Sequence, residues 1–178
     1  TCKRQLMKEY GLELDESRPL LAVVGYLTRL KGLELLIETI NDLLASGCQL
    51  VVAGQGNEIY EQALLKLKEL HPGKLGVQLD LSPGLFHRVI AGADLLLVPS
   101  IEEPCGLALM QALRYGTVPV ARAIGGLKES MEPFSSQNNS GYSFAFEDYS
   151  ASAFLQAVRQ ALSLYNQPRI WTEIIARC

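Results

Sequence analysis

The residues of this chain best suited to chemistry lie in two glycine-containing stretches that each follow an apolar run. The first, VVGYLTRLKG at 23–32, places a tyrosine and two basic residues between two glycines, directly before a helical pattern. Glycine lets the backbone approach a ligand closely, and a helix start presents free amide groups to an anion. The pattern predicts an anion-binding loop and leaves open which of Tyr26, Arg29 and Lys31 holds the anion.

The second stretch, VPSIEEPCG at 98–106, brings two carboxylates to the end of a predicted buried strand. Pro104 is a common first residue of a helix, and the apolar pattern after it predicts a helix over 105–115. The free amides of Cys105–Ala108 would then face a ligand. Glu103 beside them could accept hydrogen bonds from sugar hydroxyls or offset a developing positive charge. A structural role is the alternative, because the helix dipole stabilises a carboxylate at this position in any protein.

Other features give weaker signals. GQGNEI at 54–59 lacks the third glycine of a dinucleotide-binding loop, because Ile59 stands there. No Walker-type phosphate loop is present either. His71 and His87 fit a surface turn and a half-buried helix position, so neither is assigned a catalytic role.

The elements that must position these residues alternate between two kinds of segment. Short apolar runs, typical of strands covered on both faces, occur at 20–24, 49–53, 75–79, 94–98 and 117–120. Helical spacing occurs at 32–46, 57–70, 84–92, 105–115 and 151–165. This order predicts right-handed βαβ units and a single α/β domain over 1–178, a Rossmann-like open parallel sheet with helices on both faces.

Ligands of open parallel sheets bind beyond the carboxyl ends of the strands, where loops lead into helices. Glycines occur in all the predicted loops at that edge, which are 25–32, 54–57, 99–106 and 121–127. The sequence therefore favours a nucleotide or sugar-nucleotide crevice.

Composition and charge exclude other classes of protein. The 178 residues carry a net charge of −3 without a basic stripe, which disfavours nucleic-acid binding. No apolar run approaches the roughly 20 residues that span a bilayer. The cysteines, at positions 2, 48, 105 and 178, form no CxxC pair, so no metal site is expected. The end at Cys178, directly after a helical pattern, suggests a piece of a longer protein.

Longer motifs connect the chain to a known family. EEPCGLALMQALRYGTVPVARAIGGL (102–127) closely resembles the C-terminal domain of bacterial glycogen synthases and plant starch synthases. Further pieces match in the same order: LTRLKGLELL (27–36), GKLGVQLD (73–80), HRVIAGADLLLVPS (87–100) and YNQPRIW (165–171). The resemblance covers essentially the whole chain. It implies the donor-binding half of a GT-B glycosyltransferase, whose N-terminal acceptor domain belongs to the same protein.

The resemblance implies transfer of glucose from ADP-glucose, or UDP-glucose in some members, to the non-reducing end of an α-1,4-glucan. The anomeric configuration would be retained, and neither a metal nor another cofactor is expected. The partners would be the sugar nucleotide and the glucan, without nucleic acid or membrane. The protein would be cytoplasmic in a bacterium and plastidial in a plant or alga.

Carried over position by position, the resemblance also implies roles for single residues. Glu103 would lie near the transferred glucose and Lys31 on the diphosphate, and these two are the predicted catalytic residues. The predicted substrate-binding residues are Gly25, the helix start Cys105, Gly106, Leu107 and Ala108, and the pair Gly125 and Gly126.

The chain departs from the family pattern at several of these positions. Tyr26 stands where the family has a phosphate-binding arginine, and Leu81 stands near a tyrosine that packs on adenine in some members. Gln111 occupies the place of a second carboxylate found in related families but not in glycogen synthases. Losing the arginine removes a contact worth roughly 1.5–3 kcal/mol, and Arg29 is the candidate substitute.

Tyr26 therefore motivates a second hypothesis. A catalytically impaired relative would keep the fold and act as a glucan- or nucleotide-binding, scaffolding or regulatory protein. A different sugar-nucleotide transferase of related fold is a third, less favoured hypothesis.

Overall fold

The computed structural model describes residues 1–178 and contains one sheet of six strands, all parallel. The strands are β1 (Leu20–Leu27), β2 (Gln49–Gly56), β3 (Leu75–Gln78), β4 (Leu95–Val98), β5 (Val118–Arg122) and β6 (Phe144–Phe146). Their spatial order is β3-β2-β1-β4-β5-β6. The chain thus runs from β1 to one edge and then crosses back to β4. A crevice opens where the strand order reverses in this way, which here is above β1 and β4.

Helices cover both faces of the sheet, which confirms the predicted Rossmann-like α/β fold. They are α1 (Cys2–Glu9), α2 (Leu33–Ala45), α3 (Glu58–Leu70), α4 (Pro83–Gly92), α5 (Leu107–Tyr115), α6 (Gly125–Glu129), α7 (Ala151–Tyr165) and α8 (Pro168–Arg177). A single 3-10 turn, Arg29–Lys31, precedes α2. None of the helices combines the length and apolar character needed to cross a membrane.

Successive residues of β1 show how the two faces separate. Leu21 and Val23 belong to a core of 29 buried residues shared with α2, α3, α7 and α8. Leu20 and Ala22 point to the other face and pack with α1 and α4. Alternate strand side chains face opposite sides of a sheet, so a strand buried on both sides needs an uninterrupted apolar run.

Strand β1 extends further than its apolar run predicts. It pairs with β2 as far as Leu27, which lies opposite Gly56. Tyr26, expected in a loop, is therefore the penultimate residue of a strand, opposite Gln55. Backbone pairing with β2 fixes the position of Tyr26 more firmly than a free loop would.

The end of the sheet away from the crevice is tied together by an ion pair. Lys3 Nζ on α1 donates to Asp94 Oδ2 at 2.6 Å and to the Tyr165 hydroxyl at 3.0 Å. The backbone N–H of Leu20 donates to the same Asp94 oxygen at 2.7 Å. These contacts join α1, β1 and α7 at the entrance to β4.

Candidate functional site

A cleft of about 480 Å³ opens at the carboxyl ends of β1 and β4, where the strand order predicts a crevice. The loops after these two strands and the starts of α4 and α5 all contribute to its lining. Most of the lining side chains are hydrophobic. The predicted site residues that line it are Gly25, Tyr26, Lys31, Leu81, Glu103, Cys105, Leu107 and Ala108.

The loops after β1 and β4 are fixed against each other by the backbone. Leu30 O accepts a hydrogen bond from Ile101 N at 2.8 Å and one from Glu102 N at 3.3 Å. Gly32 has a φ of 76° and packs so tightly that an added Cβ would overlap Pro99 O. Only glycine satisfies both this left-handed conformation and this close approach. Gly32 therefore brings the two loops together.

That contact places the two predicted catalytic side chains side by side. Lys31 Nζ lies 2.5 Å from Glu103 Oε2, and both residues line the cleft. The lysine side chain is 36% exposed and the glutamate 14%. Lys31 is the only lysine or arginine in the cleft wall, so it is the cation available to an anionic ligand there.

The glycine pair predicted near the ligand lies beneath the Glu103 loop and does not line the cleft. Gly126 N donates to Glu103 O at 3.1 Å. An added Cβ on Gly125 would lie 2.7 Å from Glu103 O, and one on Gly126 would lie 2.7 Å from Pro104 O. These contacts assign Gly125 and Gly126 to support of the loop, since they leave no room for a side chain.

The predicted start of the helix at Pro104 is wrong. Helix α5 begins at Leu107, after Gly106 in a left-handed conformation with a φ of 65°. This conformation interrupts helical geometry, so Pro104 and Cys105 stay in the loop. Gly106 is buried and lies outside the cleft wall, whereas Leu107 and Ala108 line it. The first amide groups of a helix have no partner within it, so those of Leu107 and Ala108 are free to bind a ligand.

The structure separates the two candidate phosphate contacts, Tyr26 and Arg29. Tyr26 lines the cleft with its side chain largely exposed. Arg29 does not line the cleft; its Nε lies 3.4 Å from Glu34 Oε2, and its side chain is 70% exposed. In the ligand-free structure Arg29 is therefore directed to α2 and not into the cleft.

The opposite wall of the cleft is an apolar surface that includes Leu81, Pro83 and Phe86. His87 also lines the cleft, and its Nδ1 lies 3.2 Å from the Tyr115 hydroxyl, which bridges α4 and α5. The apolar surface of Leu81, Pro83 and Phe86 suits a flat ring with apolar faces.

Sequence reasoning did not assign Phe86, His87 or Ser100 to the site, although all three line the cleft. A signal was available for the first two. Helix α4 returns the chain from the edge strand β3 to β4. It must therefore pass the point where the strand order reverses, so its first turns face the crevice.

The two ends of the cleft differ in chemistry. One end offers a lysine, a carboxylate and helix-start amides, while the other is apolar. This division suits a ligand with an anionic group, a polar hydroxylated group and a ring. No group of three or more His, Cys, Asp or Glu side chains is arranged to hold a metal ion.

Comparisons with known proteins agree with this description. Glycogen synthase from Geobacillus stearothermophilus is 39% identical over 98% of this chain. Glycogen synthase from Anaeromyxobacter sp. is 42% identical over 99% of it. The chain covers 36% and 37% of these relatives, respectively, so it spans about a third of their length.

Solved structures give the same result. The catalytic domain of starch synthase IV from Arabidopsis thaliana, bound to ADP and acarbose, matches with a TM-score of 0.91 and 28% identity. That match covers 99% of this chain and 37% of the other. Sucrose-phosphate synthase from Thermosynechococcus elongatus shares the fold, with a TM-score of 0.73 at 20% identity.

The family described as glycosyl transferases group 1 matches residues 8–177, nearly the whole chain. Together with the glycogen synthase relatives, this match shows that the chain belongs to the group 1 glycosyl transferase family and is a domain of the glycogen and starch synthase type.

Proposed function

We propose that this chain is the donor-binding half of a retaining glucosyltransferase. The transferase moves glucose from ADP-glucose, or UDP-glucose, to the non-reducing end of an α-1,4-glucan. The observation that carries the proposal is the Lys31–Glu103 pair in the lining of a largely apolar cleft. The glycogen synthase relatives and the starch synthase structure support it.

In this proposal the diphosphate of the donor lies against Lys31 and the first amides of α5, from Leu107 and Ala108. The lysine supplies a full positive charge and the amides a partial one. Both stabilise the negative charge that develops on the departing phosphate as the sugar–phosphate bond breaks. Glu103 lies beside the glucose, where its carboxylate stabilises the oxocarbenium character of the sugar ring. No step requires a metal ion or other cofactor.

The base would lie against the apolar wall of Leu81, Pro83 and Phe86. Leucine covers a base without the stacking that an aromatic ring provides, so this wall suits adenine and uracil alike. The ADP bound to the Arabidopsis starch synthase IV structure favours adenine as the first choice.

The remaining parts of the reaction belong to the rest of the protein. Because the chain covers about a third of its relatives, we assign the glucan acceptor to an N-terminal domain that packs over the cleft. The isolated chain would then bind the donor without turnover. A bacterial source would place the protein in the cytoplasm, and a plant or algal source in the plastid.

A catalytically impaired relative is the second candidate function, and Tyr26 is the observation that favours it. A phenol donates one neutral hydrogen bond and cannot replace the two charge-assisted bonds of a guanidinium. Arg29 pairs with Glu34 and does not fill the gap. Such a protein would still bind nucleotide or glucan in a regulatory or scaffolding role.

Calorimetric titration of the 178-residue chain with ADP, ADP-glucose and UDP-glucose tests the proposal. We expect weak binding, on the order of 1 mM for ADP, with Lys31→Met as the control that loses it. The absence of binding by both this chain and the full-length protein would overturn the assignment. Glucan elongation by the full-length protein then separates a working synthase from the impaired relative.

A further inference from the structure

Ser100 follows β4 and is a buried residue of the cleft wall without an assigned role. Its exposed fraction is 1%, and its Oγ has no hydrogen-bond partner in the protein. The two buried threonine hydroxyls are paired, by contrast: Thr39 Oγ1 donates to Leu35 O at 2.8 Å, and Thr117 Oγ1 to Ile90 O at 2.7 Å. An unpaired buried hydroxyl is costly, so Ser100 needs an explanation.

The position of Ser100 distinguishes it from the other unpaired groups. The buried side chains with an unpaired polar atom are Tyr10, Gln49, Ser100, Ser143 and Tyr149. Among these, Ser100 alone lines the cleft. Its missing partner can therefore be a bound molecule.

The neighbouring contacts place Ser100 at the junction of the loops that follow β1 and β4. Pro99 O packs on Gly32, and the Ile101 N–H donates to Leu30 O at 2.8 Å. Ser100 thus lies where the loop carrying Lys31 meets the loop carrying Glu103. The ligand oxygens nearest to this point would be those of the diphosphate and of the sugar attached to it.

We infer that Ser100 is a donor-binding residue whose Oγ hydrogen-bonds an oxygen of the glycosyl diphosphate. This inference rests on the proposed function of the cleft. A hydroxyl donates to a phosphate oxygen and exchanges a hydrogen bond with a sugar hydroxyl equally well, so the shared chemistry is an oxygen at the sugar–diphosphate junction. The ligand-free protein holds this hydroxyl unpaired, and binding of the donor pairs it.

The inference makes opposite predictions for stability and for binding. Ser100→Ala removes a hydroxyl that is unpaired in the free protein, so the melting temperature of the free chain should stay the same or rise. The same change removes a contact of the bound state, so affinity should fall about 3- to 30-fold. A serine kept only for its small size would be replaced by alanine without loss of affinity.

Melting curves of the free chain and calorimetric titrations with ADP and ADP-glucose test both predictions. An equal loss of affinity for both ligands identifies a phosphate oxygen as the partner. A loss confined to ADP-glucose identifies a sugar hydroxyl. Ser143→Ala is the matched control, because Ser143 is also buried with an unpaired Oγ but lies outside the cleft. It should leave both affinities unchanged.

Two outcomes would overturn the inference. Wild-type affinity of Ser100→Ala for both ligands would show that the hydroxyl does not contact the donor. A lower melting temperature of free Ser100→Ala would show that the hydroxyl stabilises the fold. Ser100→Cys keeps nearly the same volume but has a weaker hydrogen-bonding group. It should lose affinity for the same ligand or ligands as Ser100→Ala. If neither the wild-type chain nor the full-length protein binds either ligand, the proposed function itself fails.

Discussion

Lys31 Nζ and Glu103 Oε2 lie 2.5 Å apart and join the loops that follow β1 and β4. The lysine is the only lysine or arginine in the cleft wall, and a carboxylate already neutralises it in the free protein. An anionic ligand must therefore share or displace Glu103 before it gains the full attraction of Lys31.

Substitutions of the two partners should change nucleotide binding in opposite directions. Lys31→Met removes the cation and should weaken ADP binding by roughly 10- to 100-fold. Glu103→Gln removes a competing anion and frees Lys31, so ADP should bind roughly fivefold tighter. Calorimetry at low salt measures both effects. Weaker ADP binding by Glu103→Gln would show that Glu103 holds Lys31 in the orientation that binds phosphate and does not compete with the ligand for it.

The same glutamate substitution should have the reverse effect on catalysis. In the full-length protein, Glu103→Gln loses the carboxylate beside the sugar, so the rate of glucan elongation should fall by at least about 100-fold. Tighter ADP binding together with slower transfer would separate the two roles of Glu103.

Tyr26→Arg should strengthen nucleotide binding, because Tyr26 lines the cleft at the end of β1. A guanidinium adds a charge-assisted contact to phosphate, so we expect ADP affinity to rise roughly 10- to 100-fold. Arg29→Met is the matched control, since Arg29 pairs with Glu34 outside the cleft, and it should change affinity by less than about twofold.

The activity of full-length Tyr26→Arg decides between the two proposed functions. A rise by orders of magnitude from near zero would identify the natural protein as catalytically impaired. A small change would show that another group already serves the phosphate. An Arg29→Met variant that loses binding would show that Arg29 turns toward the ligand and does not stay with Glu34.

The conformation of the loop that carries Glu103 should depend on the absence of a side chain at Gly126. The added Cβ of Gly126→Ala would lie 2.7 Å from Pro104 O, and backbone cannot yield as a flexible side chain does. We expect a loss of about 1–3 kcal/mol in stability together with weaker ADP binding.

Gly84→Ala on α4 provides the control for this prediction. Its Cβ would meet only the flexible end of Arg88, at 3.4 Å, and alanine favours a helix more than glycine does. This variant should be as stable as the wild type or slightly more so. Equal melting temperatures of the two glycine variants would contradict a supporting role for Gly126.

Periodicity predicts the sheet well because β1, β2 and β4 are buried on both faces. That burial leaves an uninterrupted apolar run for each strand and amphipathic spacing for the helices between them. The sequence also places a crevice at the carboxyl ends of the strands, but it does not choose among the four loops there. The strand order in the structure brings the loops after β1 and β4 together and makes Lys31 and Glu103 neighbours.

Other features depend on contacts that no local pattern encodes. The side chain of Arg29 lies against Glu34 of α2, a contact that the spacing of the loop does not reveal. The start of α5 is set by the left-handed conformation of Gly106, which prevails over the preference of Pro104 for a first helical position. The unpaired hydroxyl of Ser100 results from tertiary packing, because only the folded chain shows that no partner is within reach.

The stability of the domain should fall at alkaline pH because of Cys48. Burial raises the pKa of its thiol from 9.0 to about 12. Above pH 9 the unfolded chain releases this proton while the folded protein keeps it, so stability is fully present below pH 9 and is lost as pH rises toward 12.

Deprotonation of this thiol in the unfolded chain should lower the free energy of unfolding by about 1 kcal/mol between pH 8 and pH 10. Urea titrations of the wild type and Cys48→Ala at both pH values measure the difference in slope. The stability of Cys48→Ala should fall by about 1 kcal/mol less than that of the wild type over this range, whatever its stability at neutral pH. Equal pH slopes in the two proteins would exclude Cys48 as the source.

The final prediction concerns the ion pair at the opposite end of the sheet. Lys3 and Asp94 are 2.6 Å apart and only 13% and 19% exposed. Lys3→Met would leave the Asp94 carboxylate buried without its cation, which should cost about 3–5 kcal/mol. Arg4→Met on the same helix breaks only the exposed contact with Glu16 at 4.0 Å and should cost less than about 1 kcal/mol. Urea denaturation at neutral pH measures both values.

A second substitution separates loss of the pair from loss of packing around Lys3. If the cost of Lys3→Met comes from an unpaired carboxylate, then adding Asp94→Leu should recover most of the lost stability, because a buried apolar pair often matches a buried ion pair. A double variant no more stable than Lys3→Met would instead show that Asp94 is needed for its hydrogen bond from Leu20 N, which is 2.7 Å long.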